Sequence, residues 1–213
     1  MINTTFGADI GGGGVATSNG AATVDGSSQW NVAVSGGNGL DVGGDHNGAG
    51  GTGLLTVTNA GKVTTVSAHL WASGTVTGNA TVSTTNGTVV DGTVAPNGGG
   101  TTLTFDGAGA LQLNSGATTQ CNVTPQDPST TPQVSVTGQV SLGGRLSVTM
   151  TGDFSSAPTR FTLLYAGSVA PNHPFFNSQS ITYPTNQCWT PQITYVSMGG
   201  HYYVYLDRIV CTN

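Results

Sequence analysis

The chain alternates apolar and hydroxyl-bearing residues in short runs, and glycine or asparagine separates one run from the next. Alternation with a period of two places apolar side chains on one face of a β-strand and polar side chains on the other. No helical pattern interrupts these runs. The pattern therefore predicts a closely spaced series of short strands at residues 30–34, 54–58, 62–66, 74–77, 80–82, 88–90 and 102–105.

The amino-acid composition strengthens this all-β prediction. The 213 residues include 34 glycines, a single lysine and no glutamate, so few segments favour a long helix. The predicted strands are shorter than those usual in a β-sandwich, and they favour a coil of parallel rungs. We expect a parallel β-helix, or β-solenoid, although the sequence shows no strict repeat length.

Charged residues make up only 6% of the chain, with nine acidic and four basic side chains and a net charge of −5. No basic surface is available to neutralise phosphates, so we expect no nucleic-acid partner. No apolar run is long enough for a membrane-spanning helix, so we expect no membrane insertion. The composition is typical of extracellular or cell-surface proteins. We expect that an export leader has been removed, or that the chain is the ordered part of a longer product.

The three cysteines, Cys121, Cys188 and Cys211, lack the spacings of zinc ribbons, thioredoxin-like sites and haem attachment sites. One disulfide and one spare thiol is the simplest interpretation, and all three pairings stay open. A bond between Cys188 and Cys211 would tie down the ends of the last aromatic-rich segment. Cys121 would then be buried, or free to link subunits.

Several segments follow the repeat pattern of a known family. The stretches ATVDGSSQWNV, GLDVGG and GTGLLTVTNAGKV occupy residues 22–32, 39–44 and 51–63. Related segments follow in the same order at residues 74–82, 91–98, 134–148, 152–154 and 160–167. Over about residues 20–168 the chain resembles the β-helix repeats of bacterial autotransporter passengers, without their translocator barrel. The resemblance implies a secreted or surface-displayed right-handed β-helix, in a family whose members are mostly adhesive or structural and sometimes enzymatic.

The resemblance divides the chain into three segments. Residues 1–19 precede the repeats as an extended segment with a glycine hinge, and residues 20–168 form the predicted β-helix. Residues 169–213 match no part of the repeat pattern, and aromatic residues concentrate there. We expect this last segment to form a β cap over one end of the coil.

The N-terminal segment indicates how copies of the chain associate. A β-helix ends in a rung whose N–H and C=O groups lack partners, so an uncovered end templates pairing with another chain. Identical subunits joined head to tail form a filament when the contact does not close on itself. We expect Ile2, Phe6 and Ile10 to anchor a strand that is donated to a neighbouring copy.

Catalytic motifs are scarce in this sequence. It has no G-x-S-x-G elbow and no P-loop, and without glutamate it cannot form an HExxH zinc motif. Asp41, Asp45 and His46 are the densest group of potential metal ligands, but they also fit an ordinary rung and its solvated turn. We predict no catalytic residues, no metal site and no cofactor, and we expect His69 to be a packed residue.

These observations favour a non-enzymatic extracellular structural protein that assembles into a filament or fibre from identical subunits. An alternative is a cell-surface adhesin or glycan-binding module. In that case an exposed aromatic strip of Phe175, Phe176, Trp189 and Tyr202 would contact a surface polysaccharide. A divergent polysaccharide lyase that uses the acidic cluster is a third interpretation.

Overall fold

The structure is a computed structural model that describes residues 1–4, 7–12, 18–32, 39–185 and 189–210. All regular secondary structure in these residues is β-strand. The strands are β1 (Ile2–Thr4), β2 (Ala8–Ile10), β3 (Asn19–Val24), β4 (Gln29–Val32), β5 (Leu40–Val42), β6 (Gly44–Asp45), β7 (Gly48–Ala49), β8 (Thr52–Val57), β9 (Lys62–Thr65), β10 (Ala68–Leu70), β11 (Gly74–Gly78), β12 (Thr81–Thr84), β13 (Thr88–Val90), β14 (Thr93–Pro96), β15 (Leu103–Asp106), β16 (Leu111–Leu113), β17 (Thr118–Val123), β18 (Val134–Ser141), β19 (Arg145–Met150), β20 (Arg160–Val169), β21 (Ser178–Thr182), β22 (Trp189–Met198) and β23 (His201–Val210).

Three faces of parallel strands form a β-solenoid. Face one contains β1, β4, β9, β12, β15, the start of β18 and the middle of β20. Face two contains β2, β5, β10, β13, β16 and the ends of β18 and β20. Face three contains β3, β8, β11, β14, β17, β19 and β21. The predicted all-β fold and its parallel coils are therefore confirmed.

Successive coils differ in length, which explains why the sequence shows no fixed period. Trp30, Val63 and Val82 occupy the same position on face one, yet 33 residues separate the first two and 19 the second two. Additional residues leave the coil at its corners, as in the antiparallel hairpin of β6 and β7. Strand pairing, and not sequence spacing, sets the register.

Inside the solenoid, aliphatic side chains stack on aliphatic side chains. Ile10, Val42, Leu70, Val90 and Leu113 align across five successive coils of face two, and none is more than 5% exposed. Burying one such side chain contributes about 1.5–3 kcal/mol relative to leaving it exposed. Columns of this kind from the three faces fill the interior.

Gly74 stands at the corner between faces two and three. It aligns with Gly53, which in turn aligns with Gly20, so three coils place glycine at this position. A Cβ atom on Gly74 would lie 2.1 Å from the backbone oxygen of Val42 in the preceding coil. The corner requires glycine because neighbouring backbone occupies the space of a side chain.

The solenoid begins before the boundary predicted at residue 20. β1 pairs in parallel with β4 and β2 pairs in parallel with β5, so residues 2–4 and 8–10 contribute to the first coil of their own chain. Ile10 is 5% exposed and belongs to the interior of that coil, and its role as an anchor donated to a neighbour stays a prediction. Ile2 is 65% exposed in β1, and Phe6 lies outside the described residues.

The strand direction changes near the C-terminal end. β21 still pairs in parallel with β19, so face three continues to Thr182, beyond the boundary predicted at residue 169. On face one, β23 pairs antiparallel with β20, and β22 pairs antiparallel with β23. Parallel stacking therefore ends in an antiparallel hairpin on face one.

Two arginines hold this hairpin. Arg160 donates two hydrogen bonds to Asp207, at 2.6 and 2.9 Å, across paired positions of β20 and β23. Arg208 is 8% exposed and donates to three backbone carbonyl oxygens in the loop 154–158. A buried guanidinium needs acceptors for its N–H groups, and the loop supplies them.

Replacing Gly74 with alanine should destabilise the fold by about 1–3 kcal/mol, because the added methyl group overlaps the backbone of the preceding coil. Gly116→Ala is the matched control, since its Cβ atom meets only the Asp91 backbone oxygen, at 3.4 Å. Urea unfolding followed by circular dichroism measures both free energies. A Gly74→Ala midpoint equal to that of the wild type would contradict this account of the corner.

Candidate binding groove and solenoid ends

The predicted acidic cluster is divided between a strand and a turn. Asp41 lies in β5 on face two and is 6% exposed, and its Oδ1 accepts a hydrogen bond from Trp71 Nε1 at 2.8 Å. Asp45 lies in the hairpin of β6 and β7, where its Oδ1 accepts the backbone N–H of Asn47 at 2.8 Å. Within the described residues, no three His, Cys or Asp side chains are placed to hold a metal ion. Asp41, Asp45 and His46 are therefore not assembled into a ligand set.

A row of mostly polar side chains runs along the outer surface of face two. From the first coil to the sixth, the row consists of Asp9, Asp41, His69, Val89, Gln112 and Ser141. Neighbouring strands lie about 4.8 Å apart, so these six positions extend over about 24 Å of the solenoid axis. Side chains that are far apart in the sequence thus meet on one surface.

A hydrogen-bond network crosses the middle of this row. His69 Nε2 lies 2.8 Å from Asp91 Oδ2, and Asn114 Nδ2 donates to Asp91 Oδ1 at 2.9 Å. Gln112 Nε2 donates to Asn114 Oδ1 at 2.7 Å. The Trp71 ring packs against the His69 ring with centroids 3.7 Å apart. His69 is thus held by a carboxylate and an indole, which is more than the packing role predicted for it.

Two clefts, of about 350 and 380 Å³, open along the row. Asp41, His69 and Gln112 line the first cleft, and Asp91, Gln112, Asn114 and His173 line the second. Hydroxyl-bearing side chains and one further asparagine complete the polar lining of each cleft. Gln112 lines both clefts, and neither is lined by a lysine or an arginine among the described residues. We call this surface the face-two groove.

The carboxyl groups of the groove differ in their electrostatic surroundings. Partial burial raises the pKa of Asp9 above its ordinary value, and the neighbouring carboxylates Asp41 and Asp45 raise it further. Burial also acts to raise the pKa of Asp91, but hydrogen bonds from His69 and Asn114 outweigh it, and the pKa is lowered. Asp91 is thus stabilised as a carboxylate.

The aromatic residues predicted to bind a glycan do not form an exposed strip. Phe176, Trp189 and Tyr202 are 6%, 7% and 4% exposed, and only Phe175 has an accessible ring, at 57%. Trp189 packs edge-on against Phe154 in the interior. The predicted strip is therefore wrong, because three of its four members belong to the core beneath the hairpin.

Other aromatic side chains line the outer surface of β20 and β23. The rings of Tyr203 and Tyr205 are nearly parallel with centroids 5.5 Å apart, and Tyr165 meets Tyr203 edge-on at 5.3 Å. The Arg160 guanidinium lies 4.5 Å from the centroid of the Tyr205 ring. These side chains cover one another's faces, so they form a packed ladder and not an open platform for a sugar ring.

Cys121 lies in β17 and faces the interior, with 1% of its surface exposed. Burial raises the pKa of its thiol to about 12. Its side chain forms no disulfide within the described residues. Cys188 and Cys211, the pair considered for a disulfide, lie outside those residues.

The two ends of the solenoid also carry unpaired strand edges. In the part of the chain that the structure describes, β1, β2 and β3 each pair with one strand only. At the opposite end, β22 pairs only with β23. Because β20 and β22 are both antiparallel to β23, β22 runs in the same direction as the strands of face one.

No protein-family model matches the chain, and no curated protein or solved structure is significantly similar to it. The resemblance to autotransporter passenger repeats therefore stays a prediction from the sequence motifs. The described residues include no helix with the length and apolar character needed to cross a membrane.

The Cys121 thiol should resist alkylation in the folded protein, because it is buried and its pKa is raised to about 12. Maleimide labelling near neutral pH, followed by peptide mass mapping, measures the modification of each cysteine. The same reaction in denaturant is the control and should label Cys121 fully. Rapid labelling of Cys121 without denaturant would show that β17 does not bury it.

Asp91→Asn should lower the free energy of unfolding near neutral pH by about 1 kcal/mol, because the charged hydrogen bonds to His69 and Asn114 weaken. A lowered pKa contributes stability above the ordinary value of 3.8, and this contribution is lost as the pH falls through the folded-state value. The difference between variant and wild type should therefore shrink on acidification. Urea titrations across this range test it, with Asp153→Asn in an exposed loop as the control.

Proposed function

We propose that this chain is a non-enzymatic structural protein of the extracellular space or the cell surface that associates end to end with identical copies. Its body is a right-handed β-helix, and the aromatic-rich hairpin of β22 and β23 is a cap over one end of the core. The open strand edges at the two ends of face one carry the proposal.

These edges have compatible directions. β22 runs parallel to the strands of face one, so pairing of β1 in one copy with β22 in the next continues the parallel sheet. Pro191 has no N–H, which leaves residues 192–198 as the free length of β22. That length exceeds the three residues of β1.

An apolar side chain at the first coil supports the same contact. Ile2 occupies the same position on face one as Trp30 in the next coil and Val63 in the coil after that. Ile2 is nevertheless 65% exposed, because no described coil covers it. A second copy on this end would cover Ile2, as each interior coil covers the preceding one. Since the contact joins two different ends, it repeats without limit and yields a filament.

Lysine substitutions at the two ends test the proposal. Ile2→Lys should block the first coil, and Met198→Lys should block the open strand β22, where Met198 is 59% exposed. Each variant alone should be monomeric, with association at least about tenfold weaker, because burial of an apolar side chain is lost. A mixture of the two should stop at a dimer, since each variant retains one intact end.

Size-exclusion chromatography with light scattering, and electron microscopy of the full chain, measure these outcomes. Leu54→Lys is the matched control, because Leu54 is an exposed apolar residue on face three in β8, a strand already paired on both sides, and its variant should still form multimers. A wild-type protein that stays monomeric, or equal disruption by Leu54→Lys, would contradict end-to-end association.

A further inference from the structure

We propose that the face-two groove binds an uncharged oligosaccharide that lies along the solenoid axis across the His69–Asp91 pair. This inference is independent of self-association. It rests on the polar side chains that line the two clefts, on their unused hydrogen-bond acceptors and on the sign of the charge in the groove.

Several polar groups in the first cleft retain an unused acceptor. Asp41 is 6% exposed, and while its Oδ1 accepts from Trp71, its Oδ2 has no partner in the described part of the chain. Gln112 uses Nε2 towards Asn114 and leaves Oε1 free. When His69 donates from Nε2 to Asp91, its Nδ1 is an acceptor. Donors on a ligand would pair with these three acceptors, and Ser67, Asn86 and Thr88 in the same cleft carry groups that can both donate and accept.

Hydroxyl groups along a sugar chain match this arrangement. The three acceptors belong to the second, third and fifth coils, and successive coils lie about 4.8 Å apart. This spacing is close to the length of one pyranose unit in an extended chain, so consecutive units meet successive coils. Val89, between His69 and Gln112, offers an apolar surface for the C–H face of a sugar ring.

The charge of the groove selects against acidic glycans. Asp41 lines the first cleft and Asp91 the second, while no lysine or arginine lines either among the described residues. A uronate or sulfate group placed here would meet carboxylates without a compensating cation. An uncharged glycan avoids this repulsion.

Binding of defined oligosaccharides to the full chain tests the proposal. The probes are cellohexaose, maltohexaose and mannohexaose as neutral chains, a galacturonate hexamer as the acidic comparator and a glucosamine hexamer as the cationic comparator. Isothermal titration calorimetry should show saturable binding of at least one neutral hexamer and none of the galacturonate hexamer. Failure of all three neutral chains, or binding only of the glucosamine hexamer with strong salt dependence, would overturn the assignment.

Two glutamines on the same coil provide matched variants. Gln112→Ala should weaken binding of the neutral hexamer roughly three- to tenfold, the effect of one lost hydrogen bond. Gln120→Ala, at an exposed position of β17 on face three, should leave it unchanged. Equal affinities of these two variants would place the glycan elsewhere.

His69→Ala provides a second test within the groove. It should reduce binding more than Gln112→Ala, because it removes one acceptor and also releases Asp91 and Trp71. Near-ultraviolet circular dichroism checks that the variant is folded. The Ile2→Lys background separates the two proposals: glycan binding should persist in it whether or not the wild-type protein forms multimers. Unchanged binding in folded His69→Ala protein would contradict a site at the His69–Asp91 pair.

Discussion

In-register parallel stacking is the constraint on which the rest of this structure depends. Each residue of a coil lies about 4.8 Å from the residue at the same position in the next coil, so like side chains meet like. Aliphatic and hydroxylated residues tolerate this arrangement, whereas stacked like charges repel. Asp9 stacks on Asp41 and shows this repulsion. Burial raises the pKa of Asp9, and the neighbouring carboxylates raise it further. The 6% charged content of the chain follows from the same rule.

The face-two groove is where the stacking of like on like is interrupted. In the row, His69 comes after Asp9 and Asp41. Asp91, at the corner of the next coil, lies within hydrogen-bond distance of the His69 ring. Trp71 contacts both His69 and the nearly buried Asp41. The His69–Asp91 and Trp71–Asp41 hydrogen bonds each join two coils, so they fix the relative position of successive coils while they line the clefts. One set of interactions therefore serves both stability and the proposed recognition of a glycan.

The ends of the solenoid follow from the same stacking. Every interior coil is covered by its neighbours, and a terminal coil is covered on one side only. β23 is antiparallel to β20 and β22 is antiparallel to β23, so the outermost strand β22 runs in the direction of face one. End-to-end association and the groove are compatible, because the groove runs along the axis and the contacts lie at its ends. In a filament, the grooves of successive copies would repeat along a single polymer.

The sequence by itself determined the all-β architecture, because two-residue alternation and the shortage of helix formers act locally on each short segment. Several predicted strands coincide closely with β8, β9, β11, β13 and β15. Only the tertiary structure decided which residues meet. Strand pairing brings His69 to Asp91, and Asp9 to Asp41. Because the coils differ in length, no period in the sequence reveals this pairing. Burial was decided at the same level, since the sequence does not show which side chains cover Ile10, Trp189 and Tyr202.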